Sequence, residues 1–139
     1  MNIENLAKST NRIRRDVQKF FDYLESLESK EYGNKIEDYE QRMLDIDQAL
    51  ANMVLLVSFL QIEQMMLYSN EYPPEMFEAL SLSKAEFSSQ VINLLSHFKS
   101  LSFVLTERSR IAREIWKTKV DREESLVDKE KRFGKPKEN

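Results

Sequence analysis

The sequence predicts an all-α fold: an antiparallel helical bundle of three long helices plus a short helix after Pro73–Pro74, with the last helix overlong and coiled-coil-like. Three observations carry this reading. Two glycines and three prolines in 139 residues leave almost no turn chemistry, which an all-β chain needs throughout. Apolar residues recur at three- and four-residue steps along most of the chain. Fifteen of the twenty residues from Ala49 to Tyr68 are apolar, and no charge falls between Asp47 and Glu63. A helix that is greasy on nearly every side is expected to be wrapped on nearly every side. The length suits one domain with a real core, placed at 1–133 and followed by a disordered tail at 134–139.

The first helix is expected from Ile3 to Tyr32, with Leu6, Ile13, Val17, Phe20, Leu24 and Leu27 as its apolar stripe. Ser9–Thr10–Asn11 is its weak point, because these side chains compete for backbone hydrogen bonds. Gly33 suits the position just past the helix end, where positive φ costs it nothing. Asn34 with Glu37 then reads as a capping pair. From Ile36 through Tyr39, Met43, Ile46, Leu50, Met53, Val57, Leu60, Gln64 and Leu67 a heptad seam runs unbroken. The back of this second helix is polar up to Asp47 and apolar beyond it, through Val54, Leu55, Leu56, Phe59, Ile62 and Met66. One neighbour covers one seam, so the second half calls for at least two.

Pro73–Pro74 ends that helix, and Pro74 is placed to open a short one over Glu75–Leu80. Met76, Phe77 and Leu80 suit a lid over the bundle's open end; a mobile docking element is the functional alternative. Ser83 with Glu86 caps the last helix. Its stripe is Phe87, Val91, Leu94, Phe98, Leu101 and Leu105, thinning afterwards to Ala112, Ile115–Trp116, Val120 and Leu126. With no breaker before Gly134, it runs for about 45 residues, approaching 70 Å. Threaded up, down, up, the chain places Gly33 level with about Thr118. The segment from Lys119 to Phe133 therefore has no partner within the chain and is marginal alone.

Composition narrows the function classes. The absence of cysteine removes disulfides, thiol catalysis and thiolate metal sites. The first residues, Met1 to Lys8, show no apolar run, so no secretion signal is expected. In a bilayer, Asn52, Ser58, Gln61, Glu63 and Gln64 would lie inside and the flanks would be acidic, so the chain is read as cytoplasmic, with no membrane role. No phosphate-loop, nucleophile-elbow or metal motif occurs. The single histidine, His97, has no second ligand beside it and reads as structural. No catalytic, metal or cofactor residue is assigned, and the protein is read as non-enzymatic.

Two basic stripes remain. Arg12, Arg15 and Lys19 step along the first helix, and Arg110, Arg113 and Lys117 repeat the spacing in the last. Such stripes can follow phosphates, and a nucleic-acid-associated subunit is the alternative reading. Interleaved acids, a net charge of −3 and a separation of about 15 Å along the bundle argue instead for solvated faces or an acidic partner. The leading expectation is a protein-interaction module. Ile115, Trp116, Val120 and Leu126 bury against a partner chain, in the simplest case a homodimer, while Arg110, Arg113 and Lys117 fix orientation. Tyr72 and Phe133 are further candidate exposed aromatics. Met65–Met66 with Met76 suit either an adaptable groove or core gap-filling. No motif places the chain in a family; its plan resembles that of export chaperones, helical adaptor subunits and small helical inhibitors of mobile elements, at the level of fold alone.

Overall fold

The computed structural model describes residues 2–133, and the tail expected at 134–139 lies outside them. Four helices follow in order: α1 (Ile3–Ser29), α2 (Ile36–Tyr68), α3 (Pro74–Ala79) and α4 (Lys84–Phe133). The long helices pack against each other, with no strand among the described residues. Each begins or ends on identifiable chemistry. Asn2 caps α1 by accepting from the Asn5 N–H at 3.3 Å, and the Ser83 hydroxyl caps α4 by accepting from the Glu86 N–H at 3.0 Å. Pro74 occupies the first turn of α3.

The first hairpin departs from expectation. α1 stops at Ser29, before Tyr32, and the capping reach at the start of α2 comes from Asp38 rather than Glu37: the Lys35 N–H donates to Asp38 Oδ2 at 2.9 Å. Gly33 is not a left-handed helix terminator. A Cβ there would sit 2.2 Å from Asp38 Oδ2, so glycine makes room for the capping carboxylate. The left-handed terminators are Asn70 (φ 54°) and Ser81 (φ 55°). After α2, Glu71 N–H reaches the Met66 carbonyl; after α3, Leu82 N–H reaches the Phe77 carbonyl. Both are the six-to-one closures that satisfy terminal carbonyls.

Two buried clusters stack along the bundle. The larger joins Val17, Phe20 and Leu24 of α1 to Met53, Leu56 and Leu60 of α2 and Phe98 and Leu105 of α4. Phe98 is its hub, 5.5 Å from the Phe20 ring and stacked on Phe21 at 5.6 Å. Thr10 is buried and α1 passes through Ser9–Asn11 without a break. The second cluster gathers Leu67, Tyr72, Met76, Phe77, Phe87 and Val91, with Ile3 and Leu6 packed on it. α3 is therefore a lid on this end. Tyr72 is not an exposed aromatic: its ring meets Phe77 and Phe87 edge-on, and burial pushes its hydroxyl pKa up to about 12. Met76 fills core space, whereas Met65 lies outside.

The expectation that α2 is wrapped on nearly every side is overturned. Only 22% of its most apolar stretch is buried. α4 covers one flank of α2 along its length and α1 covers part of the other, so the outward side of the helix faces solvent.

Candidate functional site

Three features of the bundle lie outside ordinary core packing. The first is an ion pair inside it. Glu63, the first charge after Asp47, is 2% exposed and takes a two-pronged contact from Arg14, at 2.8 and 3.3 Å. The Arg14 guanidinium also lies 5.3 Å from the Phe87 ring. Burial raises the Glu63 pKa, and the hydrogen bonds and charge of Arg14 offset this only in part. Arg14 thus belongs to the packing between α1 and α2, not to a basic surface.

The second feature is the open end. α1 stops at Ser29, level with about Arg108, while α2 and α4 run on as a pair. The third helical position of the bundle is empty beyond that point. It leaves an apolar groove of about 300 Å³, whose walls include Leu27, Tyr32, Tyr39, Val104, Ile111 and Ile115. At one edge the Arg42 guanidinium lies 4.4 Å from the Tyr39 ring centroid and 5.1 Å from that of Tyr32, and it donates to the Gly33 carbonyl at 2.9 Å. Its Nε is buried without a partner. Asp45 ties the hairpin beneath, accepting from the Tyr32 hydroxyl, from Lys30 Nζ at 2.9 Å and from Gln41 Nε2 at 2.9 Å. Burial raises the Asp45 pKa, but these hydrogen bonds outweigh it and leave the carboxyl below its ordinary value. The Tyr32 hydroxyl is raised, by burial first and by Asp45 next.

Past the groove α4 continues alone. Lys119 Nζ sits 5.6 Å from the Tyr39 ring, and every described side chain from Asp121 to Arg132 is exposed, Leu126 at 57% among them. This agrees with the residue levels read from the sequence. The residues expected to bind a partner divide among different duties. Ile115 lines the groove. Trp116 is half-buried and donates from Nε1 to Glu40 at 3.1 Å. Arg113 pairs with Asp47 at 2.8 Å, and Arg110 is held by Glu107 and Glu114 on its own helix. Lys117 is exposed and Val120 half-buried. In the other stripe Arg12, Arg15 and Lys19 are all exposed. Arg14 meets Gln90 and Glu28 meets Arg108, so Lys19 and Arg110 stand about 20 Å apart along the axis and form no continuous basic surface. His97 lies edge-on to Phe21 at 5.1 Å.

The third feature is the outward face of α2, which by length and composition could cross a membrane. Leu44 (64%), Leu55 (58%), Ile62 (53%) and Met65 (69%) are exposed along it, and Val54 and Phe59 widen the strip. Phe103 of α4 is 81% exposed. The Arg113–Asp47 and Trp116–Glu40 contacts put it level with Val54 and Leu55.

Neither the groove nor the buried pair had a motif in sequence. Glu63 did carry a signal: it lies three residues after Leu60 and four before Leu67, on the buried side of the helix. Among the described residues no three His, Asp or Glu side chains gather as a metal site would require. In comparison with known proteins, no family model, curated protein or solved structure matches the chain.

Proposed function

We propose that the chain is a non-enzymatic protein-interaction module, of adaptor, chaperone or inhibitor type, that receives an amphipathic helix of a partner at its open end. The single observation behind this reading is the vacated third helical position beyond Ser29, an apolar groove continuous with a projecting α4. Helical bundles bury apolar faces by supplying a helix at each position, and a partner helix is the element of matching shape. Val104, Ile111 and Ile115 offer the apolar wall, Leu126 continues it, and Arg108 of the same wall lies where an acidic group flanking such a helix would meet it.

The test begins with affinity capture from the native host, followed by binding of each captured protein in purified form. A partner that loses at least tenfold in affinity to both Ile111→Asp and a chain ending at Lys119 supports the reading. Ile111 is 44% exposed, so the substitution leaves the fold intact. Equal binding by all three chains, or no retained protein, overturns it.

A further inference from the structure

The outward face of α2 carries a second heptad seam, distinct from the buried one: Leu44, Gln48, Ala51, Leu55, Ser58, Ile62, Met65 and Ser69 alternate by four and three residues. All eight are exposed. We propose that this seam is a self-association surface, occupied by α2 of a second copy running antiparallel across a two-fold axis near Leu56–Val57.

Size complementarity sets the register. With the axis at that level, Leu55 sits over Ser58 of the second copy and Ile62 over its Ala51. Met65 lies along the stem of its Gln48, and Leu44 lies over its Ser69. Every layer then faces a large apolar side chain with a small or slender one, the alternation that lets facing helices interdigitate. The two serines do not spoil a dry contact. The Ser58 hydroxyl donates to the Val54 carbonyl at 2.8 Å and that of Ser69 to the Met65 carbonyl at 2.8 Å, so each is satisfied by its own helix. Tyr68 of the second copy falls within one helical turn of Asp47, and its 88% exposed side chain carries a hydroxyl that can donate to it.

Area points the same way. Leu44, Val54, Leu55, Phe59, Ile62 and Met65 each offer on the order of 100 Å², which gives about 1,200 Å² for the pair and enters the range of specific interfaces. A lipid surface fits less well. No lysine or arginine occurs between Arg42 and Lys84, so the segment brings nothing basic to meet headgroups. The surface is separate from the open end assigned above to a partner, so either can fail alone.

Sedimentation of the purified chain tests the proposal. The wild type is expected as a concentration-dependent dimer at about 10 μM, and Leu55→Glu and Ile62→Glu are each expected to weaken it at least a hundredfold with far-UV circular dichroism unchanged. Because the chain has no cysteine, Leu44→Cys with Ser69→Cys should oxidise to a covalent dimer, whereas Leu44→Cys alone should not. A monomer at 100 μM overturns the proposal, as does a dimer that both glutamate variants leave intact. Efficient cross-linking by Leu44→Cys alone overturns the antiparallel register. Binding of a monomeric wild type to phosphatidylcholine vesicles overturns the choice of occupant.

Discussion

Replacing Arg14 by methionine strands the Glu63 carboxylate between α1 and α2. Glu63 is 3% exposed by its side chain and Arg14 22%, so the pair sits within the packed bundle rather than on its surface. Removing one partner of a buried pair leaves an uncompensated charge and costs about 3–5 kcal/mol, whereas exchanging both for apolar residues of similar volume is close to neutral. For a chain of this size that corresponds to a fall in Tm of about 10–15 °C. The cost depends on pH, and its sign follows from burial. Burial already raises the Glu63 pKa above its ordinary 4.5, and loss of Arg14 raises it further. A raised native pKa gives stability that is full below the unfolded value and is lost as pH rises through the folded one. The deficit of Arg14→Met relative to wild type is therefore small at pH 4 and largest at pH 7. Urea unfolding followed by circular dichroism, at one protein concentration and both pH values, measures it. Arg14→Met with Glu63→Met should recover to within about 1 kcal/mol of wild type. A single-variant deficit under about 1 kcal/mol at pH 7, or one equal at both pH values, would refute the argument.

Further outcomes follow from the hairpin and the basic stripes. Asp45→Asn should cost about 1–3 kcal/mol at pH 6 by weakening three hydrogen bonds. Because the native Asp45 pKa is lowered, that stability is present above the ordinary value and disappears as pH falls through the folded one, so the gap between variant and wild type closes in chemical unfolding as pH falls below the ordinary carboxylate range. Gly33→Ala should displace the Asp38 carboxylate and cost about 0.5–2 kcal/mol. Asp38→Ala should cost the same, and the double variant no more than either, by thermal unfolding. With its basic stripes about 20 Å apart and Arg110 and Arg113 already paired, the protein should pass through heparin at 0.15 M salt.

Much of the architecture was legible because helical periodicity and breakers act locally. Pro73–Pro74, the Ser83–Glu86 cap and the stripes of α1 and α4 each needed no knowledge of distant residues. The overrun of α4 followed from lengths alone. What failed depended on three-dimensional neighbours. Whether the back of α2 is covered turns on how many helices reach it, and a three-helix arrangement covers only its inward side. The buried pairing of Glu63 was not legible because its partner, Arg14, lies 49 residues away. The groove arises from the stop of α1 at Ser29, three residues before the expected end. Gly33 carried the right residue for a helix stop and a different reason for being glycine.

The most direct test of the open end is amide hydrogen exchange along α4 in the dilute chain, repeated with bound partner. In the free protein, protection is expected to extend from the start of the helix to about Val120 and to fall to fast exchange over 121–133, since an unsupported helix of that length is marginal. Partner binding is expected to restore protection there and around Ile111 and Ile115. Protection as strong over 121–133 as over the bundled part of α4 in the free chain, unchanged by partner, would contradict it.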